Sequence, residues 1–187
     1  MIIGRKARWW NRKLSRGVWI SFCVALAWIY VWTVYGGACT ALAWDITHAR
    51  TAKFRGQSVK VPWFWKEKEQ INYNRLEIGR YGANPLQPSV TIAFENSDPA
   101  NLAGKINQTK ESLKKKANIA VEDYRFDDVL DSKFWCVDLK FPKDTVGLVD
   151  CYSRDGLWRV SMVDPSPYKR DLAEILRSVS TMGAPSK

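Results

Sequence analysis

Histidine is nearly missing from this chain: His48 is the only one in 187 residues. The four cysteines, Cys23, Cys39, Cys136 and Cys151, include no Cys-x-x-Cys pair. The usual imidazole and thiolate sets for zinc are therefore not available, and no metal or other cofactor is expected. There is no glycine-rich phosphate cradle, no nucleophile elbow and no internal repeat. An enzymatic role is accordingly not the leading expectation.

Acidic side chains are absent from the first 44 positions, where six basic ones stand: Arg5, Lys6, Arg8, Arg12, Lys13 and Arg16. The formal charge of +10 thus belongs largely to the leader, and the remainder sets 23 basic residues against 19 acidic ones. An excess of that size is ordinary for a small domain, and no nucleic-acid module accompanies it, so no nucleic-acid partner is expected. With apolar types at 46 % and charged types at 26 %, the rest of the chain has a folding composition. Its length suits one domain behind a leader.

The leader carries the longest apolar run. Val18 to Tyr35 is free of charge, and the uncharged stretch continues through Gly36-Gly37-Ala38-Cys39-Thr40-Ala41-Leu42-Ala43 to Trp44. Eighteen helical residues span roughly 27 Å, about the hydrocarbon thickness of a bilayer. The run is longer than the core of a signal peptide, yet Ala41-Leu42-Ala43 has the small-x-small form of a cleavage site. A transmembrane anchor at 18–44 is the expectation, with a cleaved signal peptide as the alternative. Trp9 and Trp10 on one side, and Trp32, Tyr35 and Trp44 on the other, are placed as membrane-interface residues. The basic segment 1–17 stays in the cytoplasm by the positive-inside rule, and the domain lies outside it, on the cell membrane.

Residues 45–57 lack a sustained period and read as a juxtamembrane connector to a domain at 58–182, with a tail at 183–187. A strand is expected within 58–67, where the interior Pro62 marks an edge strand or a strand end, and further strands at Arg75–Tyr81 and Ser89–Glu95. Ser97-Asp98-Pro99 has the chemistry of a helix start. Leu102, Ile106, Leu113 and Ala117 follow at helical spacing, and Lys105, Lys110, Lys114, Lys115 and Lys116 cover much of the other face. That basic face is either ordinary solvated surface or a contact for acidic lipid heads or an acidic partner. Four strand candidates come next: Val121–Leu130, Lys133–Phe141, Val146–Ser153 and Gly156–Val163. Asp155-Gly156 is a hairpin signal, and Tyr168–Val179 returns to helical period. The order predicts an α+β fold: an antiparallel sheet packed by two helices in an αβα sandwich-like arrangement, behind a single N-terminal transmembrane helix.

If the strands around Lys143-Asp144 form a hairpin, one register pairs Trp135 with Tyr152, Leu139 with Leu148, and Cys136 with Cys151. Directly opposed cysteines fall within disulfide reach, and an extracytoplasmic domain lets the bond persist. A structural disulfide Cys136–Cys151 is expected, against a pair of buried thiols. The other reading makes Cys151 a catalytic thiolate with Arg154 nearby, which resembles transpeptidases of the sortase type. Those need a histidine beside the thiol, and His48 precedes every expected strand. Glu122, Asp123, Asp127, Asp128 and Asp131 cluster as a solvated acidic turn whose spacing matches no calcium loop.

The stretch Phe54–Trp65, the capped helix, the meander and the closing Ile175-Leu176-Arg177-Ser178-Val179 together resemble the PsbP-like superfamily over roughly residues 54–180. That resemblance implies a small αβα sandwich and an accessory role in binding or assembly, without catalytic residues. The leading expectation is therefore a single-pass, membrane-anchored extracytoplasmic binding or assembly protein, partnered by the bilayer and by another membrane or envelope protein. Two alternatives stay open: an anchored cysteine-dependent envelope enzyme, and a secreted domain released by signal peptidase.

Overall fold

The structure is a computed structural model that describes the backbone of residues 4–72, 74–81, 88–117, 119–141, 147–163 and 165–184. Side chains are described within those ranges apart from residues 4–15, 69–72, 105, 109, 113, 116 and 117. Helix α1 (Gly4–Thr47) leads into a short hairpin, β1 (Thr51–Phe54) and β2 (Gln57–Lys60). Strands β3 (Trp65–Asn72), β4 (Arg75–Arg80) and β5 (Ser89–Phe94) follow, then helix α2 (Pro99–Ala117). The chain continues as β6 (Ala120–Asp123), α3 (Asp128–Lys133), β7 (Phe134–Lys140), β8 (Gly147–Ser153) and β9 (Trp158–Val163). A 3-10 turn, Ser166–Tyr168, then opens helix α4 (Lys169–Val179).

Seven strands form one antiparallel sheet in the order β3-β4-β5-β9-β8-β7-β6, so the fold is α+β as expected. Alternation along each strand sends Leu76, Ile78, Val90, Ile92, Val149, Cys151, Val160 and Met162 into one core. Helix α4 closes that core with Leu172, Ile175, Leu176 and Val179, spaced as one helical face, and all four are fully buried. At about 1.5–3 kcal/mol for each buried aliphatic side chain, this face is a principal source of the helix's stability. The β1–β2 hairpin adds Ala52, Phe54 and Val59 to the same core.

The β7–β8 register is the one the cysteines and apolar pairs predict: Trp135 faces Tyr152, Leu139 faces Leu148, and Cys136 faces Cys151. Cys136 and Cys151 are disulfide-bonded, with Cα atoms 4.0 Å apart. The expected tip at Lys143-Asp144 lies outside the described residues. At the β8–β9 turn Gly156 has φ +75°, and a Cβ there would meet the Ser97 carbonyl oxygen at 2.0 Å. Only glycine fits both conditions, as the Asp-Gly signal implied.

Three expectations are corrected. The stretch 45–57 is not an unstructured connector: α1 runs to Thr47, and β1 follows with Ala52 and Phe54 each 1 % exposed. Alternating burial over four residues is too short a pattern to stand out in sequence. The strand expected over Val121–Leu130 stops at Asp123, because the Asp127 side chain accepts the Leu130 N–H (2.8 Å) and starts α3. Asp131 then takes the Phe126 N–H at 3.1 Å. Finally, 58–67 holds two strands divided at Pro62–Phe64, and β3 is an edge strand whose Lys and Glu residues discourage further pairing.

Residues 16–47 of α1 make one helix long and apolar enough to cross a membrane. Trp19, Trp28 and Tyr30 are 66–67 % exposed, and no part of the most apolar stretch is covered by protein. The helix then continues without a break through Gly36 and Gly37 into the domain, where it contacts β3. A Cβ on Gly37 would sit 3.5 Å from the Tyr81 ring, Ala41 is fully buried, and Asp45 is 2 % exposed. Small residues four apart let the helix approach this closely.

Candidate functional site

A cleft of about 1020 Å³ opens between the Pro62–Phe64 turn and the N-terminal half of α4. Its near wall begins where β2 ends: Pro62 terminates pairing, and the chain turns through Trp63 and Phe64 before β3 begins at Trp65. Phe64 adopts φ +66°, which is costly for a residue with a side chain. Hydrogen bonds hold it on both sides. Its N–H donates to the Asp45 Oδ2 (2.8 Å), and its carbonyl accepts the Tyr81 N–H (2.8 Å). Trp63 is 52 % exposed and Phe64 37 %, while the Arg50 guanidinium stands 5.1 Å from the Trp63 ring centroid. Arg50 is itself fixed by Glu174 of α4 at 3.0 Å.

Beneath the cleft runs a chain of side chains from four elements, β3, β4, the 3-10 turn and α4. The indole of buried Trp65 donates to Asp171 Oδ2 (2.8 Å) and meets the Tyr168 ring edge-on at 6.1 Å. Arg80, from the end of β4, lies 4.7 Å from the Tyr168 centroid and donates to its hydroxyl at 3.3 Å. On the far wall Asp127 accepts from Arg177 at 2.6 Å. The Leu130 N–H, and after it Arg177, hold the Asp127 carboxyl below the usual carboxylate range. Lys169 stands over the Tyr124 and Phe126 rings at 5.2 and 5.6 Å. Exposed aromatics interleaved with arginines that are held in place are the composition of protein–protein contact sites. No nucleophile with an adjacent base lines this cleft among the described residues.

A polar network occupies the other sheet face. Asp150, 4 % exposed, accepts from Arg159 at 2.7 and 3.2 Å and also from Ser161 Oγ. Glu95 stands 3.5 Å from Arg159, and the Arg159 guanidinium lies 5.2 Å from the Tyr152 centroid. Burial, then the Asp150 charge, pushes the Tyr152 phenol up to about 12. Burial opposes the Arg159 charge, but the Asp150 hydrogen bonds and attraction more than offset it and hold that pKa above the ordinary value. The acids and bases here are paired with one another, which makes the network a satisfied structural element.

The residues singled out from sequence are dispersed. Cys151 is fully buried and bonded to Cys136, so its sulfur is no free thiolate. His48 lies in the turn just after α1, stacked on Trp44 at 4.8 Å and within 2.8 Å of Thr47 Oγ1. Trp32 and Tyr35 are exposed on the apolar helix, Trp44 packs partly against the domain core, and the Trp9 and Trp10 side chains lie outside the described residues. Lys110 pairs with Asp123 at 2.7 Å, Lys114 and Lys115 are exposed, and the Lys105 and Lys116 side chains lie outside the described residues. Within the acidic cluster Asp123 pairs with Lys110, Glu122 with Lys140 and Asp127 with Arg177, Asp131 accepts the Phe126 N–H, and no three His, Cys, Asp or Glu side chains converge among the described residues.

The cleft residues Trp63, Phe64, Arg80, Tyr168 and Asp171 were not singled out from sequence. One signal was available: three consecutive aromatics after a proline cannot all face one side of a strand. Neither protein-family models nor curated proteins include a match to this chain.

Proposed function

We propose that this chain is a single-pass membrane protein whose extracytoplasmic α+β domain binds a segment of another membrane or envelope protein in the Trp63–Phe64 cleft. The carrying observation is that Asp45, in the last turn of the apolar helix, holds the Phe64 N–H and with it the cleft's exposed aromatic pair. Anchor and binding surface are then one rigid unit, which orients the cleft relative to the bilayer. Support for the anchor comes from the uncovered apolar stretch, which costs far less in lipid than in water. Uncut helix is favoured further because Ala41, in the Ala-Leu-Ala motif, is helical and fully buried. The Cys136–Cys151 bond fits an oxidising compartment.

On this reading α2, which connects β5, beside the central strand β9, to β6 at the sheet's edge, lies across the face opposite α4. That gives the αβα sandwich of the PsbP-like kind and the accessory role that goes with it. Leu102 and Ile106 of α2, 4 % and 5 % exposed, are consistent with such packing.

The test has two arms on the full chain in its native membrane. Alkaline extraction followed by intact-mass measurement is expected to leave the protein in the membrane with Met1–Trp44 retained; a soluble chain beginning at Trp44 overturns the anchor. A photo-crosslinking residue at position 63 is expected to give one discrete adduct that is lost on adding Phe64→Ser, whereas the same probe at Lys115 gives none. Equal labelling from both positions, or none from position 63, overturns the cleft as the binding site.

A further inference from the structure

The domain begins to cover α1 at a definite height. From Arg16 to Tyr35 every residue is exposed except the half-buried Val34, and Gly36 is the first buried one. That uncovered length is about 20 residues, or roughly 30 Å of helix, which matches the hydrocarbon thickness of a bilayer. No linker follows, because the helix runs unbroken to Thr47. A domain attached in this way starts where the hydrocarbon ends.

The last three turns of α1 have two unlike sides. Gly37, Ala41 and Asp45, four residues apart, face the domain. Tyr35, Cys39, Leu42 and Ile46 lie on the other side and are exposed, Leu42 at 39 % and Ile46 at 70 %. This stripe continues the uncovered apolar surface of the span below it, including Trp28. Each Leu or Ile side chain removed from water gains about 1.5–3 kcal/mol. Residues 16–47, roughly 48 Å of apolar helix, also exceed the hydrocarbon thickness, and a helix with such an excess tilts. Tilting brings one side of the outer turns down to the lipid and keeps the other above it.

The domain presents matching chemistry at that level. A Gly37 Cβ would lie 3.5 Å from the Tyr81 ring, and the Lys66 ammonium stands 4.4 Å from the centroid of the same ring. An amphipathic ring beside a long-stemmed cation suits the headgroup layer, which is about 5–8 Å deep on each side of the hydrocarbon. Phe64 is held by Asp45, about 12 Å farther along the helix axis and on the domain's side of it.

We propose that the domain is seated on the outer surface of the bilayer, with Leu42 and Ile46 against lipid and Tyr81 and Lys66 among the headgroups. Resting on the membrane reading of α1, this placement gives the helix's outer turns a partner, phospholipid rather than a second protein. The Trp63–Phe64 cleft then opens just above the headgroups, and a segment that enters it lies close to the membrane surface.

The test reconstitutes the full chain in vesicles of phosphatidylcholine and phosphatidylglycerol. A photoreactive side chain replaces Trp28, Ile46, Trp63 or Tyr81, one at a time, and adducts are read by mass spectrometry. Position 28 reports the anchor alone. Phospholipid adducts are expected from 28, 46 and 81, and none from 63. Adducts from 28 without adducts from both 46 and 81 overturn the seating and leave the anchor standing. No adduct from 28 overturns the anchor and the seating with it. Chain-to-chain adducts from 46 in place of lipid assign the stripe to a second copy and overturn the proposal. Equal lipid yields from 63 and 81, the mark of a domain that tumbles on its tether, overturn it too. Should the side chain at 81 prevent folding, as judged by urea unfolding, the same probe at Lys66 takes its place.

Discussion

Cleaving the bond between Cys136 and Cys151 frees a loop with a sequence separation of 15. In the chain-entropy account a loop of about 15 residues closed by a disulfide is worth about 3 kcal/mol at 25 °C, because the bond removes conformations from the unfolded chain. The native state is expected to change little on reduction. The β7–β8 hydrogen bonds persist without the sulfur bridge, and a reduced thiol is comfortable where Cys136 and Cys151 lie, at 5 % and 0 % exposure. Reduced protein should therefore unfold with about 3 kcal/mol less stability, lowering the melting temperature by roughly 10 °C for a domain of this size. Replacing both cysteines by alanine adds about 1 kcal/mol per site for the buried sulfur lost. Urea unfolding of the full chain in micelles, followed by tryptophan fluorescence with and without a phosphine reductant, measures the difference. Thiol labelling of the unreduced chain after full denaturation should find Cys23 and Cys39 but neither Cys136 nor Cys151. A stability difference below about 0.5 kcal/mol would refute the entropic reasoning, and labelling of Cys151 in the unreduced chain would refute the bond itself.

Three further outcomes are expected. Asp45→Ala leaves the Phe64 N–H without its acceptor beside a strained backbone, so denaturant unfolding should show a loss of about 2 kcal/mol, and crosslinking from position 63 should fall with it. Leu176→Ala, at a fully buried position in the α4 face, should cost about 2–5 kcal/mol by the same measurement. The Tyr152 pKa is raised in the folded state, so its contribution to stability is complete below the unfolded value of 10.0 and is lost as pH rises towards about 12. Tyr152→Phe should therefore flatten the alkaline limb of a stability–pH curve between those values. An ultraviolet titration in which every tyrosine ionises near 10 would sink that assignment.

Periodicity made much of this fold legible. The apolar run of α1, the 3.6-residue spacing of Leu172, Ile175, Leu176 and Val179, and the opposition of Cys136 with Cys151 are each stated by local pattern, and the structure carries them. The short β1–β2 hairpin and α3 were less accessible, because four to six residues hold too few repeats to display a period. Asp127 followed by Asp128 did offer capping chemistry for α3, but it lay inside a stretch whose Val121 and Leu130 suggested a longer strand. The cleft was the least visible feature. Its members come from positions 45 to 177, and no local signal links Asp45 to Phe64 or Trp65 to Asp171.

What the sequence determined alone was therefore the inventory: an apolar helix of membrane length, an antiparallel α+β domain, and two cysteines in register. These follow from interactions between residues near in the chain or paired by a single hairpin. Only the tertiary structure decided that α1 runs unbroken into the domain, with Gly37 against Tyr81 and Asp45 holding Phe64, rather than ending at a loose connector. It also decided which charges pair with an opposite charge, as Arg159 does with Asp150, and which, like Arg154 on the Asp131 carbonyl, are held by neutral groups instead. Burial and electrostatic pairing depend on what the rest of the chain brings alongside, and no window of neighbouring residues contains that information.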